Sequence, residues 1–211
     1  MPIATFSELL DVARSKGTKT VAEAASQQPE IMLAGLDAEL AGLAEVILVG
    51  DGDTIREIAA QQDFDISHME ELHQPHPRVA AREVMRLVHE GQADIAMKGR
   101  VDTSDFLRAA LSKELGLRTG RLFSHVAVFE IPGFDRLSFI SDAGVVVAPD
   151  LEQKVQSVQN AIDVAHCLQI DLPRVAILAA TEVVTPTIPT TRDAASLSQM
   201  ADRGQFRGCV L

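Results

Sequence analysis

The stretch AEVILVGDGDTIREIAAQ, residues 44–61, joins two patterns of hydrophobicity. Its first seven residues form an almost continuous apolar run that ends at Gly50, which is typical of a strand buried on both faces of a parallel sheet. The residues that follow predict a helix. A buried strand that leads directly into a helix is the unit from which α/β proteins are built, so this stretch indicates the fold class.

The same alternation continues along the chain. Residues 76–91 predict a helix, with Pro77 in its first turn and Gly91 at its end. Residues 93–97 predict the next strand, and a further helix should begin at about Thr103.

The C-terminal half adds a second strand arrangement. Residues 124–131 and 137–141 flank the turn PGFDR and predict an antiparallel pair. Asp150 and Gln153 have the spacing of a capping box, and the apolar residues after them recur at helical intervals. The remaining expected elements are a buried strand at 173–180, a helix at 190–204 and the start of a strand at 206–211.

These elements predict an α/β fold with mostly parallel sheets flanked by helices. A domain joint is expected near residues 116–120, just before the change of strand arrangement. It would separate a first α/β domain, residues 1–120, from a second, residues 121–211.

The charge of the chain limits its partners. Thirty acidic residues against 19 Lys and Arg give a net charge of −11, which repels nucleic acid and anionic membranes at long range. The absence of Trp and Tyr removes the usual surfaces for stacking bases. The N-terminus contains acidic residues and no continuous apolar core, so we expect no signal peptide and a cytoplasmic location.

Two cysteines are too few for a disulfide framework, and Cys167 and Cys209 have no C-x-x-C spacing. Cys167 follows a helical apolar pattern, so we expect a buried, reduced thiol there.

The positive charge of this acidic chain is concentrated at one junction between a strand and a helix. Residues 98–121 contain six Lys or Arg and three Asp or Glu. In open α/β sheets, ligands bind where strands end and helices begin. Ser104 and Arg108, four residues apart, should share one helix face beside the first turn. The candidate anion-binding residues are Lys98, Gly99, Arg100, Thr103, Ser104 and Arg108.

A purely structural interpretation of the same residues stays open. Asp102 or Thr103 would be an ordinary helix N-cap, Asp105 would complement the helix dipole, and Arg108 would be a solvated charge.

Two polar pairs at strand ends are further candidates. Ser124 and His125 begin one strand of the predicted pair, although adjacent strand residues point to opposite faces. Ser141 and Asp142 end the other strand, where α/β enzymes often carry reactive side chains, but Asp before Ala-Gly also suits an ordinary turn.

His68, His73 and His76 do not have the spacing of a metal-ligand motif, so we expect no metal. The chain also contains no G-x-G-x-x-G, Walker or G-x-S-x-G motif, which disfavours the common dinucleotide, nucleotide and serine-hydrolase sites.

Three segments, residues 76–111, 116–170 and 173–208, together resemble the phosphate acetyl/butyryltransferases, most closely the phosphate butyryltransferase branch. The resemblance runs from about Gly17 to the last residue. It implies a two-domain fold of the isocitrate and isopropylmalate dehydrogenase type, with the active site in the interdomain cleft. It also implies the reversible conversion of acyl-CoA and phosphate to acyl phosphate and CoA, with a short acyl chain such as butyryl.

The resemblance implies roles for individual residues. The segment KGRVDTSDFLR, residues 98–108, matches the phosphate-contacting segment of the family, with Arg108 as its arginine and Thr103 as its hydroxyl residue. Ser124 and His125, and the strand end with Ser141 and Asp142, match family motifs at the cleft. Phosphate and a coenzyme A thioester would be substrates, with no resident cofactor, no metal and no covalent intermediate, and a homodimer or larger homo-oligomer is implied.

Family members continue beyond the FRGCVL end of this chain into an Asp-Gly-Pro-Leu motif and a segment with a catalytic Ser-Arg pair and an acidic residue. We therefore expect either a fragment or a shortened protein with altered activity. The alternatives are an inactive CoA-binding or regulatory module of the same fold, and a phosphate acetyltransferase. A related decarboxylating dehydrogenase is disfavoured because no carboxylate cluster suited to Mg²⁺ is found.

Overall fold

The computed structural model describes residues 2–115 and 117–211. It divides into two units, one of Leu10–Thr119 and one of Met1–Leu9 together with Gly120–Leu211. The expected joint at 116–120 includes Gly116, which lies outside the described residues, and the assignment of domains stays a prediction. The helices and strands in chain order are α1 Phe6–Ser15, β1 Lys19–Ala24, α2 Pro29–Leu40, β2 Ala44–Gly50, α3 Gly52–Gln62, β3 Glu70–His73, α4 Pro77–His89, β4 Ile95–Lys98, α5 Thr103–Ala110, β5 Ala127–Glu130, β6 Leu137–Ile140, α6 Leu151–Cys167 and α7 Pro189–Asp202.

A four-stranded parallel sheet organises the unit of residues 10–119. The strand order is β3-β2-β1-β4, so β1 is central and pairs with both β2 and β4. The chain builds outward from β1 to β3 and then crosses back to add β4 on the other side. The connections that leave β1 and β4 therefore diverge, which makes their C-terminal ends the topological switch point where ligands of such sheets bind.

Helices cover both faces of this sheet. Ile47 and Val49 of β2 join one buried cluster with α4 and α5, while Val46 and Leu48 join another with α2 and α3. Alternate residues of one strand are thus buried on opposite faces, as the apolar run at 44–50 predicts. The expectation of a mixed α/β fold with a parallel sheet flanked by helices is confirmed.

The other unit contains the antiparallel pair β5 and β6, in the register Ala127 to Ile140. Helix α6 begins with the expected capping box at Asp150. The buried side chains of Ile162 on α6, Leu197 on α7 and Phe206, which follows α7, form one hydrophobic cluster.

The predicted buried strand at 173–180 is wrong. Only Arg174 of this segment forms a β-bridge, with Val210, and the Leu178 side chain is 84% exposed. A strand needs a neighbour that satisfies its backbone groups, and the described residues supply one only at Val210.

The expectation of a buried Cys167 is also wrong, because the residue is exposed. Ala165 faces the core of its unit, and two further residues along a helix rotate the side chain by about 200° to the opposite side.

The central strand β1 was not predicted from sequence, because Glu23 interrupts its apolar run. Glu23 is fully buried, and neither carboxyl oxygen has a hydrogen-bond partner among the described residues. A Cβ at Gly35 of α2 would lie 2.6 Å from Glu23 Oε1, so the glycine leaves the space that this carboxyl occupies. Burial raises the pKa of Glu23 to about 8. The nearby Ser26 hydroxyl lowers this pKa by a smaller amount, and the charge of Glu39 adds a still smaller increase.

We expect Glu23→Gln to change how stability depends on pH. The folded protein keeps a proton on Glu23 that the unfolded chain releases above pH 4.5, so folding is opposed more strongly as pH rises from about 5 to about 8. The free energy of unfolding of the wild type should fall, relative to that of Glu23→Gln, by about 1.4 kcal/mol per pH unit in this window. Urea unfolding at several pH values measures this difference.

Glu45→Gln is the matched control, because Glu45 is an exposed glutamate on the adjacent strand. Equal slopes for the wild type and Glu23→Gln would show that Glu23 is ionised in the folded protein.

Candidate functional site

The loop between β4 and α5 is fixed to the backbone that follows β1. The Gly99 amide donates to the Ala24 carbonyl at 2.8 Å, and the Arg100 amide donates to the Ala25 carbonyl at 2.9 Å. A Cβ at Gly99 would lie 2.5 and 2.6 Å from the carbonyl oxygens of Ala25 and Ala24. Glycine is therefore required where these two backbones meet, and it brings the loop to the switch point.

Lys98 contributes to the shape of this loop. Its Nζ donates to the carbonyl oxygens of Gly99 and Val101 at 3.2 and 3.1 Å. Arg100, two residues on, is exposed. The structure thus places Lys98 against its own loop and Arg100 toward solvent, and their predicted contact with an anion stays a prediction.

Helix α5 begins at Thr103, as expected. Asp102 occupies the N-cap position, but its side chain makes no capping hydrogen bond. Thr103 and Ser104 are exposed in the first turn. The helix start therefore presents two hydroxyl groups beside the loop, in the positions that the sequence predicts for anion ligands.

Asp105 holds two arginines. Its Oδ2 accepts from Nε of Arg78 on α4 at 2.7 Å, and its Oδ1 accepts from Nη1 of Arg108 on α5 at 2.5 Å. The Asp105 side chain is only 8% exposed, whereas those of Arg78 and Arg108 are 77% and 71% exposed. The hydrogen bond from Arg78, and then the charges of both arginines, outweigh burial and hold the pKa of the Asp105 carboxyl below its usual value.

A cavity of about 580 Å³ lies at the start of α4 and α5. Arg100 of the predicted loop lines this cavity. Arg78 also lines it, and Arg78 was not among the site residues predicted from sequence. The available signal for Arg78 was its place directly after Pro77 at a predicted helix start. The residues that line this cavity are His76, Pro77, Arg78, Val79, Arg100, Val101, Asp102 and Asp105.

The second group of candidates lies in the unit that contains β5 and β6. The Ser124 hydroxyl accepts from Asn160 Nδ2 at 2.7 Å, and Arg121 donates to both Asn160 and Asp163. These residues line a cavity of about 440 Å³ together with Leu122, Phe123, Val126 and Val164. Asn160 was missed from sequence because it lies on α6, 36 residues after the serine that it contacts.

Asp142 organises the loop after β6. Its carboxylate accepts backbone hydrogen bonds from Gly144, Val145 and Val146 at 2.8–3.2 Å, and from His125 at 3.3 Å. Partial burial raises the pKa of Asp142, but these four bonds together outweigh it and leave the pKa below its usual value. The carboxylate is therefore ionised near neutral pH and fixes the backbone of His125, whose side chain is exposed, as is that of Ser141.

The predicted site residues thus form two local groups. Lys98, Gly99, Arg100, Thr103, Ser104 and Arg108 lie in the unit of residues 10–119, and Ser124, His125, Ser141 and Asp142 lie in the other. Their chemical roles remain predictions.

The three histidines that were considered as metal ligands do not form a group of ligands with one another. His68 contacts Glu39, His73 Nδ1 accepts from the Gly52 amide, and His76 precedes α4. Within residues 2–115 and 117–211, no three His, Cys, Asp or Glu side chains are grouped to hold a metal ion. No helix in the same ranges has the length and hydrophobicity needed to cross a membrane.

Solved structures share this architecture. A branched-chain phosphotransacylase from Enterococcus faecalis superposes with a TM-score of 0.78 and 26% identity, covering 91% of this chain and 66% of that one. The EutD phosphotransacetylase from Staphylococcus aureus superposes with a TM-score of 0.70 and 15% identity, covering 97% of this chain and 71% of that one. The fold is therefore that of the phosphotransacylases.

Sequence comparison gives the family. The model described as "Phosphate acetyl/butaryl transferase" matches residues 78–210. A phosphate butyryltransferase from Clostridium acetobutylicum is 45% identical over 99% of this chain and 69% of its own length. A phosphate acetyltransferase from Thermotoga maritima is 36% identical over 98% and 69%. The chain belongs to the phosphate acetyl/butyryltransferase family of enzymes, and it spans about two thirds of the length of these relatives.

We expect Gly99→Ala to destabilise the unit of residues 10–119 by about 1–3 kcal/mol, because the new methyl group meets two backbone oxygens that cannot rotate away. Thermal unfolding measures the loss. In Gly144→Ala, the control, the added Cβ meets nothing within 4 Å, so its melting temperature should match the wild type. An unchanged melting temperature for Gly99→Ala would contradict the close approach.

Asp142→Asn should loosen the loop after β6, because the amide that replaces one oxygen cannot accept the same hydrogen bonds. The amides of residues 144–146 should exchange with deuterium at least about tenfold faster than in the wild type. Asp135→Asn, at a side chain that is 94% exposed in the β5–β6 turn, is the control. Unchanged exchange at residues 144–146 would show that the Asp142 carboxylate does not hold this loop in place.

Proposed function

We propose that this chain transfers a short acyl group, preferentially butyryl, reversibly between coenzyme A and inorganic phosphate. The observation that carries the proposal is the cationic loop and helix start at residues 98–108, placed at the switch point of a parallel sheet in a chain of this family. Identity with the phosphate butyryltransferase from Clostridium acetobutylicum exceeds identity with the phosphate acetyltransferase from Thermotoga maritima, which supports butyryl over acetyl.

The chemistry requires a held nucleophile and a stabilised leaving group. A phosphate oxygen attacks the thioester carbonyl carbon, a new C–O bond forms, the C–S bond breaks, and the sulfur leaves as a thiolate that takes up a proton. The loop near Lys98, the hydroxyl of Thr103 and the guanidinium of Arg108 supply positive charge and hydrogen-bond donors of the kind that phosphate accepts. The same charge would stabilise the oxyanion that develops on the thioester oxygen.

The reverse direction needs a base for the CoA thiol, whose pKa resembles the ~8.5 of cysteine. We assign His125 as the candidate, because its side chain is exposed and its backbone is fixed by Asp142. Asp142 itself, with four accepted hydrogen bonds, acts as a positioning residue, and Ser124 would contribute a hydroxyl beside Asn160.

The finer fold assignment belongs to the same proposal. We assign the two-domain isocitrate and isopropylmalate dehydrogenase type of fold and a homodimeric or larger assembly. No resident cofactor is needed, since coenzyme A thioester and phosphate are both substrates. The TM-scores to two phosphotransacylases, over more than nine tenths of this chain, support the fold assignment.

The test is phosphate-dependent release of CoA thiol from acetyl-, propionyl- and butyryl-CoA. We expect release with each, fastest with butyryl-CoA, and a KM for phosphate raised about tenfold or more in Arg108→Gln, because a charge-assisted contact to phosphate is lost. Lys113→Gln removes an exposed positive charge that lies just beyond residues 98–108 and should leave this KM unchanged.

Binding of CoA without thiol release would replace the proposal with a CoA-binding module. An unchanged KM for phosphate in Arg108→Gln would exclude residues 98–108 as the phosphate site.

A further inference from the structure

One buried carboxylate joins arginines from two helices beside the cavity of about 580 Å³. Arg78 lies in the first turn of α4, Arg108 lies on α5, and Asp105 in the first turn of α5 accepts from both. The two oxygens of Asp105 are divided between them, one for each guanidinium.

We propose that Arg78 is a second phosphate-binding arginine and that Asp105 is the positioning residue that holds Arg78 and Arg108 for one anion. The inference rests on the proposed function for the identity of the anion as the phosphate substrate.

The donor inventory leaves both guanidinium groups able to bind a ligand. A guanidinium has five N–H donors, and the contact with Asp105 uses Nε of Arg78 and Nη1 of Arg108. Both arginines are more than two thirds exposed although their shared aspartate is buried. Asp105 therefore holds each guanidinium through one N–H group and leaves it other N–H donors, which can form the two parallel hydrogen bonds of bidentate phosphate binding.

The surroundings favour an anion. Arg78 and Arg100 line the same cavity, at the N-terminal ends of α4 and α5, where backbone dipoles add positive potential. Arg108 does not line the cavity, but it binds Asp105, which does. Counted together, Arg78, Arg100 and Arg108 exceed Asp102 and Asp105 by one positive charge, in a protein whose net charge is −11.

The alternative is that Arg78 and Asp105 only tie α4 to α5. The contact would then stabilise the packing of the two helices and have no effect on ligands. The two interpretations predict different affinities for phosphate when the charge of Arg78 or the charge of Asp105 is removed.

The first experiment measures the binding of inorganic phosphate to the full chain by titration calorimetry. Arg78→Gln should weaken binding at least about tenfold, because charge-assisted hydrogen bonds to phosphate are lost. The matched control is Arg82→Gln, one turn further along α4, where the arginine pairs with Glu114 and does not line the cavity. Equal affinity in Arg78→Gln and Arg82→Gln would overturn the inference, as would a wild type that binds no phosphate.

Arg78→Lys keeps the charge and loses the planar fork. It should bind phosphate with an affinity between those of the wild type and Arg78→Gln, and circular dichroism confirms that each variant is folded. If Arg78→Gln does not fold, wild-type affinity in Arg78→Lys overturns the inference and weaker affinity supports it.

Asp105→Asn distinguishes positioning from simple charge. Removal of a negative charge next to an anion site should strengthen phosphate binding if Asp105 acts only through its charge. It should weaken binding, and raise the KM for phosphate more than it lowers kcat, if Asp105 holds the two arginines in place. Stronger or unchanged binding would overturn the positioning role.

The readouts separate this inference from the proposed function. Phosphate binding that depends on Arg78 in a chain that releases no thiol would keep the anion site and refute the transferase assignment. Thiol release with a KM for phosphate that does not depend on Arg78 would keep the transferase assignment and refute the role of Arg78 in binding phosphate.

Discussion

The close approach of two backbones at the switch point is the constraint on which the site depends. The amides of Gly99 and Arg100 extend the pairing of β4 beyond its last residue. They donate to the carbonyls of Ala24, the last residue of β1, and of Ala25, which follows it. Since a Cβ at Gly99 would overlap those carbonyls, this contact exists only because residue 99 has no side chain. It fixes where α5 begins and therefore where its hydroxyls and its ion pairs lie relative to the sheet.

Carboxylates in this protein have opposite protonation states because their surroundings differ. Glu23 is buried, its carboxyl oxygens make no hydrogen bond with the described residues, and its raised pKa favours the neutral form. Asp105 and Asp142 are supplied with donors, from arginines in one case and from backbone amides in the other, and both stay ionised. The same functional group thus fills space under α2, fixes arginines at one loop and fixes a backbone turn at another.

The agreement between sequence and structure is good where a pattern is local and poorer where it depends on distant residues. The apolar run at 44–50, the start of α5 and the capping box at Asp150 are all present as expected. The apolar segment at 173–180 has the composition of a strand, but a strand also requires a partner, and composition contains no information about that partner. The central strand β1 escaped prediction for the opposite reason, because the structure buries Glu23 in a position where sequence patterns expect an apolar residue.

The sequence by itself determined the α/β class, the family and the cationic segment at residues 98–108, since each is encoded in the order and spacing of neighbouring residues. Only the tertiary structure decided that β1 separates β2 from β4, that Arg78 meets Asp105 across 27 residues, and that Asn160 reaches Ser124. Those contacts depend on how helices and strands pack, and packing joins residues whose separation along the chain has no fixed relation to their distance in space.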